Sequence, residues 1–166
     1  MSDLYRETLV KRITPLGDKI KGAGLVILTV LCLAGSLMFW PLLLAGIALG
    51  VVSFLVIPRF DLEYEYLYVN GDIDVDKIMS KQKRKRCASY SLENMELMAP
   101  SNSHALDSVK NGSNVRVRDF TSLDPNAASY TLVFNSQQGR ELVKLELEKE
   151  VVQDMKRLAP RKVFLD

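Results

Sequence analysis

The longest uncharged stretch of the chain constrains its fold more than any other feature. From Gly22 to Ile57 there are 36 residues without one charged side chain. As a single helix this stretch would be about 54 Å long, whereas the hydrocarbon core of a bilayer is roughly 30 Å thick. Trp40-Pro41 interrupts it near the middle, because proline lacks a backbone donor and disfavours helical angles in the preceding residue. The sequence therefore predicts two short helices, about 25–39 and 42–57, joined by a tight turn.

Such a pair of apolar helices is typical of a transmembrane hairpin, here residues 22–58, and the flanking charges indicate its orientation. Five basic side chains precede the hairpin, Arg59 follows it, and the connecting turn carries none. Since basic residues concentrate in cytoplasmic loops, we expect a two-pass protein of the plasma membrane with both termini in the cytoplasm. A cleaved signal peptide is disfavoured, because its apolar region would be only about 7 to 15 residues long.

The rest of the chain divides into a short N-terminal segment and one domain. Residues 1–21 mix apolar and charged side chains, which fits either an amphipathic helix in the membrane interface or a short helix packed on the domain. Residues 59–166 are charged throughout and have the length of one compact cytoplasmic domain. Cys32 lies in the apolar stretch and Cys87 in a basic one, so no disulfide framework is expected.

The domain begins with the pattern of a β-hairpin. Residues 62–69 alternate strictly, and Asn70-Gly71 is the strongest short-range signal for a two-residue turn, because both residue types tolerate positive φ. The partner strand is 72–79. One face of this hairpin is expected in the core, while the other is largely acidic. The expected core face contains Tyr66, Tyr68, Ile73 and Val75.

The remaining pattern predicts five more strands and one helix. The strands are expected at about 84–91, 95–98, 115–120, 130–135 and 142–148. Residues 100–114 are interpreted as a long loop and Gln137-Gln138-Gly139 as a hairpin loop. Val151, Val152, Met155 and Leu158 then recur on one helical face. Seven antiparallel strands capped by a C-terminal helix form a pleckstrin-homology-like (PH-like) β-sandwich, so the predicted fold class is an α+β membrane protein with a transmembrane hairpin before that sandwich.

Several motifs together resemble a known family. They are Leu9-Val10-Lys11-Arg12-Ile13-Thr14-Pro15, Glu63-Tyr64-Glu65-Tyr66, Asn70-Gly71-Asp72-Ile73-Asp74, Lys83-Arg84-Lys85-Arg86, Met98-Ala99-Pro100 and the ending from Ala159 to Asp166. With these motifs the chain resembles a family of small two-pass membrane proteins of clostridial Gram-positive bacteria, to which no activity is assigned. The resemblance covers essentially the whole chain and implies a bacterial plasma membrane protein. The PH-like fold alone transfers no site.

A basic run is the leading candidate site. It consists of Lys81, Lys83, Arg84, Lys85 and Arg86. Such cations attract anionic lipid headgroups at about 1 kcal/mol each near a membrane surface. Alternatively they pair with Asp72, Asp74 and Asp76 of the preceding strand, since opposite charges on adjacent strands stabilise a sheet. Alternation places Lys83 and Lys85 on one face and Arg84 and Arg86 on the other, so all five cannot face a membrane together.

A second candidate lies in the hairpin, where Gly46 and Gly50 have the spacing of small residues that lets membrane helices approach closely. The first helix of the same hairpin is the nearest partner. We therefore favour packing within the chain over dimerisation, and the oligomeric state stays open.

Several classes of chemistry are disfavoured. His104 is the only histidine, and no cysteine, histidine and carboxylate cluster has zinc-site spacing. The three aspartates imitate a calcium loop, but Lys77 and Lys83 occupy the positions that require glycine and glutamate. No nucleophile has a basic partner in the pattern, and the acidic residues beside the basic run oppose nucleic-acid binding. We expect no enzyme, no cofactor, no metal and no nucleic acid.

These observations predict a binding protein. In this interpretation the lipid bilayer holds the hairpin, and the membrane-anchored PH-like domain recognises a protein segment or anionic lipid headgroups at the cytoplasmic surface. The alternative is an accessory subunit that packs through its hairpin against a larger membrane complex.

Overall fold

The computed structural model describes residues 4–81, 83–110, 114–136 and 139–165. The chain divides into two compact units, the first comprising residues 1–12, 64–77 and 84–166 and the second residues 13–63 and 78–83. The described strands are β1 Tyr5–Lys11, β2 Leu62–Val69, β3 Asp72–Met79, β4 Lys83–Ser91, β5 Met95–Pro100, β6 Val115–Asp119, β7 Tyr130–Ser136 and β8 Gly139–Leu145. The described α-helices are α1 Leu16–Gly35, α2 Pro41–Val56, α3 Asp107–Lys110 and α4 Lys149–Leu158.

The strands form two four-stranded sheets, in the orders β1-β2-β3-β4 and β5-β7-β8-β6. In the second sheet β7 is antiparallel to both β5 and β8, whereas β6 runs parallel to β8. The prediction of seven antiparallel strands is therefore wrong in the number of strands and in the direction of one pair. The eighth strand is β1, where the sequence had indicated a helix.

Contacts at both ends of β1 show how it lies beside β2. The amide of Leu4 donates to Asn70 Oδ1 at 3.1 Å, just beyond the end of β2. Arg12 Nη1 donates to the hydroxyl of Tyr64 at 2.8 Å, near the start of β2. The two strands thus run antiparallel.

The predicted hairpin of β2 and β3 is confirmed. Asn70 and Gly71 have φ values of 49° and 100°, which a two-residue hairpin turn requires. Of the four side chains expected in the core, all are buried. They are Tyr66, Tyr68, Ile73 and Val75.

The main core of the first unit lies between the inner faces of the two sheets and α4. Leu132 of β7 and Val143 of β8 contribute from the second sheet, while Val152 and Met155 contribute from the helix. The prediction that one face of the C-terminal helix is buried is confirmed for Val151, Val152 and Met155 but is wrong for Leu158, which is 43% exposed. An open β-sandwich exposes an apolar end, and the buried face of α4 covers that end. This packing keeps the helix on the sandwich.

A smaller core lies on the other face of the second sheet. Val133 and Leu142 alternate with the residues of the main core and pack against Leu106 and Val109. The last two belong to a short helical segment, a 3₁₀ turn followed by α3, within the stretch that was predicted to be a long loop. The sheet is covered on both faces, which explains the continuous apolar runs in β7 and β8.

Buried tyrosines link the elements of the first unit through their hydroxyl groups. Tyr66 donates to the carbonyl of Phe120 at 2.6 Å, and Tyr68 donates to Asp154 Oδ2 at 2.7 Å. Burial raises the pKa of both phenols, and for Tyr68 the hydrogen bond to Asp154 raises the pKa further. Burial together with the charge of Glu141 raises the pKa of Tyr90 to about 12. These phenols therefore remain protonated donors at neutral pH.

The second unit contains the two apolar helices. A turn that includes Trp40 joins α1 to α2, and a 3₁₀ turn, Ile57–Phe60, follows α2. Thr14 Oγ1 donates to the carbonyl of Phe60 at 3.0 Å and connects the two ends of this helical segment.

The transmembrane part of the predicted fold class is wrong, and so is the assignment to the plasma membrane as a two-pass protein. Within the described ranges, no helix is both long enough and apolar enough to cross a membrane. α1 begins at Leu16, so its first turns contain Asp18, Lys19 and Lys21. α2 has 16 residues and is about 24 Å long, which is less than the roughly 30 Å of a bilayer core.

Candidate functional site

The two arginines of the basic run are engaged within the first sheet. Arg84 forms ion pairs with Glu65 of β2 and with Asp76 of β3, and its Nε lies 2.7 Å from Asp76 Oδ2. Arg86 pairs with Asp74 of β3. These contacts form the cross-strand charge ladder that was one of the two interpretations of this run.

Burial of the acidic partners explains why the ladder forms at these positions. The side chain of Glu65 is 8% exposed, while that of Arg84 is 56% exposed. A carboxylate with so little access to water needs a charged or hydrogen-bonding partner, and a guanidinium supplies several donors in a fixed plane. Arg84 thus holds the acidic face of β2 and β3 together.

The three lysines of the run differ from the arginines. Lys83 and Lys85 of β4 are exposed, as is Lys81 of the preceding turn. Within the described part of the chain, none of the three side chains forms a hydrogen bond or an ion pair. Lys85 belongs to the first unit, and Lys81 and Lys83 belong to the second. Lipid contact by these lysines stays a prediction, while the arginines already have intramolecular partners.

The two glycines of the helical pair lie in different surroundings. Gly46 of α2 is buried, and a Cβ built there would come within 2.7 Å of Leu33 Cδ2 and 3.3 Å of the Leu33 amide nitrogen. At Gly50 the nearest such atom is Thr29 Cγ2, at 3.8 Å. Gly46 therefore allows α1 and α2 to approach closely, whereas the contact at Gly50 is an ordinary one.

This difference predicts a selective effect of alanine at the two glycines. Gly46→Ala is expected to lower the stability of the helical pair by about 1 to 2 kcal/mol, because the added methyl overpacks the contact with Leu33. Gly50→Ala is the matched control and is expected to be neutral or stabilising, since alanine is the better helix former. Urea unfolding of the full chain, followed by circular dichroism at 222 nm, would compare the two. Equal losses would contradict this account.

The other sequence candidates do not come together as a site. His104 is exposed, and its Nδ1 lies within hydrogen-bond distance of Asp107 Oδ2, at 3.0 Å, near the surface of the first unit. Among the residues that the structure describes, no group of three potential ligands is placed to hold a metal ion. Cys87 packs at the margin of the main core.

The first unit also contains a cleft that no sequence pattern indicated. This cleft, of about 630 Å³, lies between the β2–β3 turn, the connection from β4 to β5, and the residues that follow α4. Gly71 and Leu92 line it, and the amide of Leu92 donates to the carbonyl of Gly71 at 2.8 Å. From the other side Arg161 and Lys162 line it, so the cleft combines apolar surface, backbone polar groups and charge. Three segments distant in sequence form it, and no local pattern could indicate it.

Comparison with known families agrees with this architecture. Residues 2–165 match the family described as "Bacterial PH-like domain (DUF6106)". The chain belongs to this family. This match confirms the part of the sequence-based prediction that concerned a bacterial PH-like domain. No curated protein and no solved structure matches this bacterial PH-like domain significantly.

Proposed function

We propose that this bacterial PH-like domain is a non-enzymatic binding protein whose lysines on and just before β4 contact anionic lipid headgroups. One observation carries the proposal, namely that the basic run divides into engaged arginines and free lysines. If the basic run only stabilised the sheet, all of its cations would be expected to pair with carboxylates of the neighbouring strands. Here the exposed ammonium groups of Lys81, Lys83 and Lys85 have no partner among the described residues, so their charge is available to a ligand.

The type of side chain fits this role. Lysine carries a compact, mobile charge that suits diffuse attraction to a charged surface, whereas arginine suits the fixed geometry of a buried carboxylate. Each lysine near an anionic surface contributes about 1 kcal/mol, which is roughly a fivefold change in partitioning. The attraction is screened by salt, because the Debye length falls from about 10 Å at 0.1 M to about 3 Å at 1 M.

Vesicle sedimentation with the full chain tests the proposal. We expect more binding to phosphatidylcholine vesicles that contain phosphatidylglycerol than to pure phosphatidylcholine, and a loss of this difference at 1 M salt. Lys83→Ala and Lys85→Ala should each weaken binding by about fivefold. At Lys81 the neutral substitution should be asparagine, because this residue has a φ of 56° and asparagine tolerates that conformation.

The matched control is Lys149→Ala, which removes one exposed lysine outside the run and is expected to leave binding nearly unchanged. The three lysines are replaced singly because they belong to different units. If the wild-type chain ignores anionic vesicles at low salt, or if Lys149→Ala weakens binding as much as Lys85→Ala, the proposal is wrong.

A second candidate, recognition of a protein segment, is favoured by the cleft in the first unit. Recognition of a protein segment would use the cleft and not the lysines of the basic run.

A further inference from the structure

The C-terminal tail, residues 159–165, lies along the edge of the second sheet. The amide of Met98 in β5 donates to the carbonyl of Lys162, and the amide of Phe164 donates to the carbonyl of Met98, each at 2.7 Å. Met98 and Val163 form an isolated parallel bridge. The tail therefore adds a short parallel strand to β5, which is an edge strand of its sheet. Edge strands present unpaired backbone groups that an added strand can satisfy.

The tail is held by the buried side chain of Val163, by the ammonium group of Lys162 and by backbone groups. Val163 is 0% exposed and belongs to the main core, whereas Phe164 and Leu165 are 45% and 49% exposed. Lys156 of α4 donates through Nζ to the carbonyls of Pro160 and Val163, at 2.9 and 2.6 Å. These hydrogen bonds use backbone carbonyls, which every sequence has. They therefore require an extended conformation but no particular side chains. The pocket of Val163 selects a branched apolar side chain.

The site continues beyond the tail. The cleft of about 630 Å³ begins where α4 ends and is lined by Leu158 and by Pro160 to Lys162 of the tail. Lys162 Nζ donates across one side of it to the carbonyl of Glu93 at 2.8 Å. The opposite wall of the cleft is formed by the β2–β3 turn and the connection from β4 to β5, and it includes Gly71 and Leu92. A segment with larger side chains in the place of the tail would contact this wall more extensively than the tail does.

We propose that the edge of β5 beside α4 is a strand-acceptor site, which the C-terminal tail fills in cis and which accepts an extended segment of another protein in its place. The segment has a branched apolar residue at the position of Val163, and its preceding residues take the place of residues 160–162 and pack against Gly71 and Leu92. Main-chain pairing supplies affinity and the pocket supplies specificity, as in other cases where a peptide adds a strand to a sheet. The site is independent of the lysines proposed to contact lipid.

The tail and a partner segment compete for the same site, so the tail determines how tightly a free peptide can bind there. A tethered segment has an effective concentration of the order of 1 mM, so a free peptide with the same contacts cannot displace it at micromolar concentration. A partner succeeds only by extra contacts in the cleft or when the tail is weakened. Release of the tail is therefore the way to reveal the site.

The experiment uses the full chain with Val163→Asp, which places a charge in the apolar pocket and drives the tail out. The probe is a fluorescent peptide with the sequence of residues 159–165, Ala-Pro-Arg-Lys-Val-Phe-Leu. We expect the variant to bind this peptide at least tenfold more tightly than the wild type does, and the peptide to raise the Tm of the variant. The same peptide with aspartate in place of its valine should not bind.

Leu165→Asp is the matched control, because it adds the same charge to the tail at an exposed position and should exclude the peptide as the wild type does. A folded Val163→Asp variant that does not bind the peptide would overturn the proposal. If that variant does not fold, hydrogen exchange of the wild type decides the question. The amides of Met98 and Phe164 should then exchange at least tenfold faster than that of Val143, and equal rates would show that the tail opens only with the whole unit.

Discussion

Replacement of Gly139 by alanine is expected to lower the free energy of unfolding by about 4 kcal/mol. Gly139 begins β8 with a φ of 120°, a conformation that side-chain-bearing residues rarely adopt. A Cβ there would also come closer than 3.0 Å to the carbonyl oxygen of Asn114, and that oxygen accepts the amide of Arg140 at 3.2 Å. Because the clashing oxygen of Asn114 is a backbone atom, it cannot yield without disturbing the pairing of β6 with β8. Guanidinium unfolding of the full chain measures the loss.

Gly71→Ala serves as the control for this prediction. Gly71 also has a positive φ, 100°, but the nearest atom to a Cβ there is Leu92 Cβ at 3.3 Å, which belongs to a side chain. Its loss should be smaller, about 1 to 2 kcal/mol, since strain is present without a backbone clash. If the two variants lose the same stability, the contact with Asn114 does not matter and the argument for Gly139 fails.

The parts of the fold that depend on local pattern could be predicted from the sequence. Asn70-Gly71 determines a tight turn through its own backbone preferences, and strict alternation on both sides determines which side chains enter the core. The face of α4 followed from helical spacing in the same way. In each case the residues that carry the information are near one another in the chain.

The errors concern features that only distant contacts decide. Tyr5–Lys11 is a strand because β2, more than fifty residues later in the chain, offers it an edge, and its sequence alone also fits an amphipathic helix. The absence of charge from Gly22 to Ile57 gave the length of an apolar stretch but not the helix boundaries. α1 extends back into charged sequence and stops at Gly35. Similarly, Leu106 and Val109 become part of a core only because the outer face of the second sheet lies beneath them.

The candidate site was predictable in part. Alternation along β4 separated the arginines from the lysines before any contact was known. The choice of acidic partners was not predictable, because it depends on the burial of Glu65, a residue whose alternation alone placed it on a solvated face. The hairpin loop predicted at Gln137-Gln138 lies outside the described residues.

Removal of Arg84 is the second change with a large expected effect. Arg84→Met should lower the free energy of unfolding by about 2 kcal/mol, because it leaves the carboxylate of Glu65 buried without its ion-pair partner. Breaking a buried pair in this way costs about 3 to 5 kcal/mol, and the value is reduced here because Arg84 is itself more than half exposed to water. Guanidinium unfolding, with tyrosine fluorescence and circular dichroism as separate probes, measures the loss.

Two comparisons show whether burial of Glu65 causes this loss. In Arg86→Met the remaining carboxylate, that of Asp74, is 24% exposed, so water replaces the lost partner and the loss should stay below about 1 kcal/mol. In the double variant Glu65→Leu/Arg84→Met the buried charge of Glu65 is removed, while Asp76, the other partner of Arg84, stays 20% exposed. Most of the stability should return, since an apolar pair of similar volume can replace a buried ion pair. A double variant that is no more stable than Arg84→Met would mean that the buried charge of Glu65 does not cause the loss.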